Sequence, residues 1–174
     1  MSNATFEALN LIDGRWQPAL AGAWGERANP ADGRYLGRHA AGGRADAQAA
    51  IDAARRAFER IDWAQDARRR QMVMLRWADR LEARAEELAR LLTLENGKVL
   101  AQARGEMAGA ISEIRYYAGL ARYLPGHVFE VEPGCFSTLL KEPAGVAGII
   151  VPWNAPVVLL IRSLTPALAA GCTA

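Results

Sequence analysis

Hydrophobic positions along the chain follow different periods in different stretches, and each stretch predicts its own kind of element. Over the first forty residues the apolar side chains come in short runs between turn residues. Residues 9–12 and 15–16 flank Asp13-Gly14, a dipeptide suited to a tight hairpin because glycine tolerates positive φ. Asn29-Pro30-Ala31-Asp32-Gly33 forms a second turn signal, with a strand predicted over residues 34–39. Gly42-Gly43 closes this β-like region.

From there to residue 124 the period is helical. Ala47, Ala50, Ile51, Ala54, Ala57, Phe58 and Ile61 fall on one stripe, which predicts an amphipathic helix over residues 46–61. Residues 66–96 continue helical with Met72, Leu75, Leu81, Leu88, Leu91 and Leu92 inward, and Gly97 stops them. The length of that run predicts a break near Ala83-Arg84. A third helix is predicted over residues 104–124. Its stripe is Met107, Ala110, Ile111, Ile114, Ala118 and Ala121, and Pro125-Gly126 ends it.

Beyond this point the period changes to two. Residues 128–132 and 136–142 around Pro133-Gly134 predict a β-hairpin whose edges are open to a pairing partner. Residues 146–151 are apolar without alternation, the pattern of a strand buried on both faces of a parallel sheet. Residues 157–170 predict a helix apolar around nearly its whole circumference. Strand, short loop and buried helix make the opening of a βαβ unit, hence an α/β fold. The most buried-looking elements lie at the C-terminal end, and no second parallel strand is expected. The sequence therefore reads as the N-terminal portion of a longer domain.

Composition narrows the classes. The 174 residues are 51% hydrophobic and 23% charged, a globular balance, and 21 basic against 19 acidic residues give a net charge of +2. That balance argues against a nucleic-acid partner. The run Arg68-Arg69-Arg70, preceded by Glu59, Asp62 and Asp66, reads as a solvated helix face. Cys135 and Cys172 are isolated, which suggests a reducing compartment, with the cytoplasm as the default. Residues 1–10 carry no signal-peptide pattern. The apolar C-terminal stretch is broken by Pro152, Asn154 and Pro156 and contains Arg162, so no membrane span is expected. His39 and His127 lack partners at ligand spacing, so no metal site is expected; the other tryptophans, Trp153 apart, read as packing residues.

The segment Lys141-Glu142-Pro143-Ala144-Gly145-Val146, then Pro152-Trp153-Asn154-Ala155-Pro156, then Pro166-Ala167-Leu168-Ala169-Ala170-Gly171-Cys172 resembles the aldehyde dehydrogenase superfamily. Upstream, Ile12-Asp13-Gly14-Arg15-Trp16, the turn at Asn29, Leu94-Glu95-Asn96-Gly97-Lys98 and Tyr116-Tyr117-Ala118-Gly119 fall in that family's order. The resemblance implies the N-terminal part of a Rossmann-like cofactor-binding domain, built from residues 1–125 and 145–174. Residues 126–144 would form a hairpin arm for oligomerisation, giving a homo-oligomer (dimer or tetramer) in the full-length form.

The implied activity is oxidation of a small aldehyde to a carboxylate through a cysteine thiohemiacetal, with NAD or NADP as hydride acceptor. Ile150, Val151, Pro152 and Trp153 would contact the dinucleotide mainly through backbone, at the carboxyl end of a strand. Asn154 matches the asparagine whose amide stabilises the oxyanion. Read from the residues alone, an N-cap role for Asn154 beside Pro156 stands level with that one; the resemblance favours the oxyanion role. The nucleophilic cysteine and the general-base glutamate of such enzymes would lie beyond Ala174, and Cys135 and Cys172 read as structural. An acyl-CoA-forming or semialdehyde-specific relative is an alternative within enzymes. A non-catalytic binding or assembly module is the alternative from another class, should these residues be the whole product.

Overall fold

The computed structural model describes residues 6–60 and 62–174. Residues 1–5, read above for a leader, and Ile61, placed on the first helical stripe, lie outside the described residues. The predicted hairpin forms between β2 (Asn10–Ile12) and β3 (Arg15–Gln17), and Asp13 and Gly14 both take positive φ (53° and 72°) as its turn requires. The strand predicted at 34–39 is β5 (Tyr35–Ala40). It sits at the centre of a three-stranded sheet, parallel to β1 (Phe6–Ala8) and antiparallel to β4 (Trp24–Ala28). β1 and β4 had no expectation attached to them. They are short and mostly exposed, so they carry no clean alternation. His39 is half-buried on β5, and the face of Trp24 on β4 is covered by Arg38 at 4.0 Å.

Helix α1 (Arg44–Arg60) starts with Asp46 reaching back to the Gly43 N–H (2.9 Å) and out to the Leu20 N–H (2.9 Å). Those two donors hold the Asp46 carboxyl below its ordinary pKa. The buried face of α1 carries Ala53 and Ala54, while Ile51 is exposed. In an alanine-rich helix two adjacent stripes are nearly equivalent, and contact with β2 selects one of them. The long helical run breaks where expected, at Arg84, into α2 (Ala67–Ala83) and α3 (Ala85–Asn96). Met72 and Leu91 face solvent, whereas Met74 is inside. α4 (Leu100–Leu120) begins and ends four residues before its predicted bounds, and its whole predicted stripe is buried. Tyr117 packs on the core; Tyr116 is exposed and meets it edge-on at 5.2 Å. Exposed ion pairs stitch α3 to α4: Arg104 donates twice to Glu86 (both 2.8 Å) and, with help from Arg90, holds its carboxyl down to about 2.

The predicted hairpin forms, β6 (His127–Glu132) against β7 (Cys135–Leu139), with the second strand ending before the expected residues 140–142 and every residue of both strands exposed. The predicted strand at 146–151 does not form. Its only ladder contact is a parallel bridge from Val146 to Thr173, closed by Ala147 N–H to Thr173 O (2.8 Å) and Thr173 N–H to Gly145 O (3.1 Å). A strand exists only where a neighbour takes its backbone groups, and none of the described residues runs beside 148–151. The same bridge corrects the second expectation, since Thr173 supplies the first rung of a second parallel strand after α5 (Pro156–Ala170). The opening of a βαβ unit is thus present in its loop, helix and first rung. No helix among the described residues is long and apolar enough to cross a membrane.

α4 is the spine of the core: α2 and α5 both pack on it, burying Met74, Ile111, Ile114 and Ile161. Arg70 corrects the reading of its run. Arg68 and Arg69 are exposed, but Arg70 is buried, because four main-chain oxygens converge on it. Its Nε donates to Ala169 O (3.0 Å), Nη1 to Trp63 O (2.6 Å) and Ala64 O (2.9 Å), and Nη2 to Ala121 O (3.4 Å). The cation thus closes the carbonyl ends of α4 and α5 together. Replacing it with an apolar side chain of similar reach strands those oxygens. Arg70→Met is expected to lower the unfolding free energy by about 3 kcal/mol in urea titration. A loss under about 1 kcal/mol would show that water replaces the guanidinium.

Candidate functional site

The residues that form the candidate site come from three separated segments. At the end of α3, Asn96 is the last helical residue and Gly97 takes the left-handed cap, φ 83°, with its N–H on Thr93 O (2.9 Å). A side chain on Gly97 would also press to 2.9 Å of the Pro30 ring, so the Asn29 turn and the Leu94–Lys98 motif meet here. The cap turns the chain so that Asn96 and Lys98 both reach the loop before α5. Asn96 Nδ2 donates to Trp153 O (2.8 Å), and Lys98 Nζ donates to Asn154 O (3.1 Å).

Lys98 also pairs with the carboxylate of Glu106, which projects from the buried face of α4. The two side chains are 11% and 5% exposed, so the pair is shielded from water. The other carboxylate oxygen of Glu106 accepts the N–H groups of Val157 (2.8 Å) and Val158 (3.2 Å), in the first turn of α5. An anion at that end suits both the orphan N–H groups and the positive end of the helix dipole.

Asn154 is exposed, and its carboxamide makes no hydrogen bond among the described residues. The alternative that it caps the helix does not hold. Ala155 occupies the N-cap position, without a side-chain bond, and Glu106 takes the amides that a cap would have taken. Ile150 is 99% exposed, Trp153 82%, Pro152 exposed and Val151 half-buried. Among the described residues, no backbone–backbone hydrogen bond engages residues 148–154. Among the described residues the main chain of Ile150, Val151 and Pro152 is thus free of backbone partners, whereas the Trp153 carbonyl is held by Asn96. The five expected site residues therefore lie on one exposed loop, with Asn154 next to the supporting triad of Asn96, Lys98 and Glu106.

Neither cysteine joins that loop. Cys172 is buried behind the Trp63 indole, which donates to its carbonyl (3.1 Å), and Cys135 stands exposed at the hairpin turn. Clefts of about 560 and 590 Å³ elsewhere on the surface include none of residues 150–154. Among the described residues no group of acidic, histidine or cysteine side chains has the arrangement to hold a metal ion. Glu95 is engaged by Arg27 at 3.6 Å.

Glu106 was not singled out from sequence, and Asn96 and Lys98 were noted only as part of a motif. A signal existed. Glu106 falls between Ala103 and Ala110 on the apolar stripe of α4, and a charge on a buried face demands a partner.

The family model of the aldehyde dehydrogenase family matches residues 16–174. The chain belongs to that family. It is 39% identical to the NADP(+) succinate-semialdehyde dehydrogenase of Escherichia coli, over 97% of this chain and 35% of that protein. It is 38% identical to a glutarate-semialdehyde dehydrogenase of Pseudomonas putida, over 97% of this chain and 35% of the relative. Among solved structures, it superposes on an NAD-dependent aldehyde dehydrogenase from Sinorhizobium meliloti with a TM-score of 0.95 and 34% identity, covering 98% of this chain and 35% of that one. A betaine aldehyde dehydrogenase from Staphylococcus aureus, solved with NAD+, gives 0.90 at 36% identity, covering 94% and 34%. The chain spans about a third of the length of these relatives. The fold is α/β and corresponds to a partial Rossmann-like domain.

The left-handed cap at Gly97 gives a direct test of how the aldehyde dehydrogenase loop is supported. Gly97→Ala is expected to cost about 1–2 kcal/mol, the penalty of an L-residue in that conformation, with contact against Pro30 adding to it. Thermal and urea unfolding measure it. A change within about 0.5 kcal/mol would mean that the turn relaxes and does not set the direction of Lys98.

Proposed function

We propose that this chain supplies the oxyanion-binding asparagine and part of the nicotinamide-dinucleotide cleft of an NAD(P)-dependent aldehyde dehydrogenase. The observation that carries this reading is the state of Asn154: an exposed carboxamide with no partner among the described residues, on a loop held at two of its carbonyls. Membership in the aldehyde dehydrogenase family supports the reaction class. The substrate is a small aldehyde, oxidised to the carboxylate, and the hydride acceptor is NAD or NADP.

In this reading a cysteine thiolate from further along the polypeptide adds to the aldehyde carbon, and the carbonyl oxygen becomes an oxyanion. The Asn154 Nδ2–H donates to that oxygen. A neutral amide stabilises the developing charge without a proton acidic enough to quench the thiolate. A dinucleotide bound beside the loop would supply the hydride acceptor that turns the thiohemiacetal into a thioester, and water activated by a general base would then release the carboxylate. Ile150, Val151, Pro152 and Trp153 would hold the cofactor, mainly through their backbone. The exposed hairpin of residues 126–144, with Val128, Phe129, Val131, Phe136 and Leu139 all in water, is the arm that pairs with another copy.

Two measurements test this. In the protein as its gene encodes it, Asn154→Ala is expected to lower kcat roughly 10²- to 10³-fold while cofactor affinity and melting temperature stay close to the parent values. Normal turnover in that variant overturns the role. The 174-residue chain alone is expected to form no NAD(P)H from aldehydes, because one amide contributes only about 3–4 kcal/mol of transition-state stabilisation. Aldehyde-dependent NAD(P)H formation by the purified chain, lost in Asn154→Ala, would overturn the assignment of the nucleophile to a later segment.

A further inference from the structure

The supporting triad under the Asn154 loop does more than hold a helix in place. Asparagine is a favoured helix cap, and an Asn154 folded over the start of α5 would have its carboxamide oxygen on the Val157 or Val158 amide. In the structure those amides are already taken by Glu106, from another helix and 51 residues away in sequence for Val157. The carboxamide of Asn154 is left without a hydrogen-bond partner among the described residues. At the same time the main-chain oxygens of Trp153 and Asn154 are fixed by Asn96 and Lys98, so the loop is restrained on its carbonyl side. One ion pair links the two functions, since Lys98 donates both to Glu106 and to Asn154 O.

We propose that Glu106 and Lys98 are positioning residues for the oxyanion donor. Glu106 occupies the helix-cap donors in place of Asn154, and Lys98 fixes the peptide that carries it, so the amide is presented outward in one orientation. This rests on the oxyanion role of Asn154 proposed above. Neither side chain touches the substrate or the cofactor in this scheme; both act through Asn154. Burial makes the arrangement stiff. At 11% and 5% exposure the pair has little competition from water, and losing either partner leaves the other charge uncompensated.

The physical consequence is that the two residues matter to turnover only while Asn154 is there to be positioned. In the gene-encoded protein, Glu106→Ala is expected to lower kcat roughly 10- to 100-fold, the scale of a misplacement of about 1 Å, with KM and cofactor affinity moving less than about threefold. In an Asn154→Ala background the same substitution is expected to change kcat less than about threefold, because groups acting as one unit are not additive. A merely structural role would instead lower kcat by the same factor in both backgrounds, and that result overturns the proposal. If Glu106→Ala does not fold, the cycle is run with Lys98→Met, which leaves the Val157 and Val158 amides to the Glu106 carboxylate but removes its ion-pair partner together with the clamp on Asn154 O. Equal effects of Lys98→Met with and without Asn154 overturn the proposal likewise. Amide exchange at Val157 and Val158 gives a readout independent of activity: Glu106→Ala should accelerate it at both positions, and unchanged protection would mean that Glu106 is not the cap. The two readings fail separately. Normal kcat in Asn154→Ala alone removes the oxyanion role, whereas a slow Asn154→Ala with equal factors in both backgrounds removes only the positioning role.

Discussion

A single carboxylate, that of Glu106, sits where the apolar face of α4 meets the start of α5, and both the packing and the candidate site are arranged around it. A charge at that depth is tolerated only with partners on all sides. It has them: Lys98 from the loop after α3, and the amides of Val157 and Val158 from α5. The loop after α3 and the adjoining α4 are therefore tied at one point to the start of α5, 51 residues further along at Val157. The loop carrying Asn154 lies directly against it.

The far end of α5 is tied by the opposite charge. Arg70 places its guanidinium on Ala169 O and Ala121 O, at the carbonyl ends of α5 and α4. An anion at the amide end and a cation at the carbonyl end both complement the helix dipole, and each satisfies groups that the helix itself leaves orphaned. α5 is thus fixed along its axis by two ionised side chains. Its apolar contacts through Ile161, Thr165 and Ala169 fix its rotation. Rigidity at the base of the loop is what an oxyanion donor needs, since its contribution depends on being placed before charge develops.

The aldehyde dehydrogenase family model covers residues 16–174. Among the described residues the loop of residues 150–154 makes no backbone–backbone hydrogen bond, while its Trp153 and Asn154 carbonyls are held by the side chains of Asn96 and Lys98. The hairpin arm shows the same division of labour. Its two strands satisfy each other and leave apolar side chains in solvent, a surface suited to pairing with another chain.

Sequence by itself determined the elements that depend on local chemistry. The Asp13-Gly14 hairpin, the break at Arg84, the left-handed stop at Gly97, the apolar stripe of α4 and the Pro133-Gly134 arm are each set by a turn residue or a strong period within a few positions. It also marked the loop of Asn154, through its proline spacing and the family resemblance. Tertiary structure decided whatever depends on a partner far along the chain. Residues 146–151 have the composition of a buried strand but take that form only at Val146, where Thr173 offers its backbone. Arg70 looked like one of three solvated arginines until helix ends converged on it. Asn154 looked as suited to capping a helix as to binding an oxyanion, and Glu106, arriving from α4, took the cap. Propensity is a property of neighbours in sequence, whereas the satisfaction of a buried charge or an orphan amide is a property of whatever the fold brings within hydrogen-bond reach.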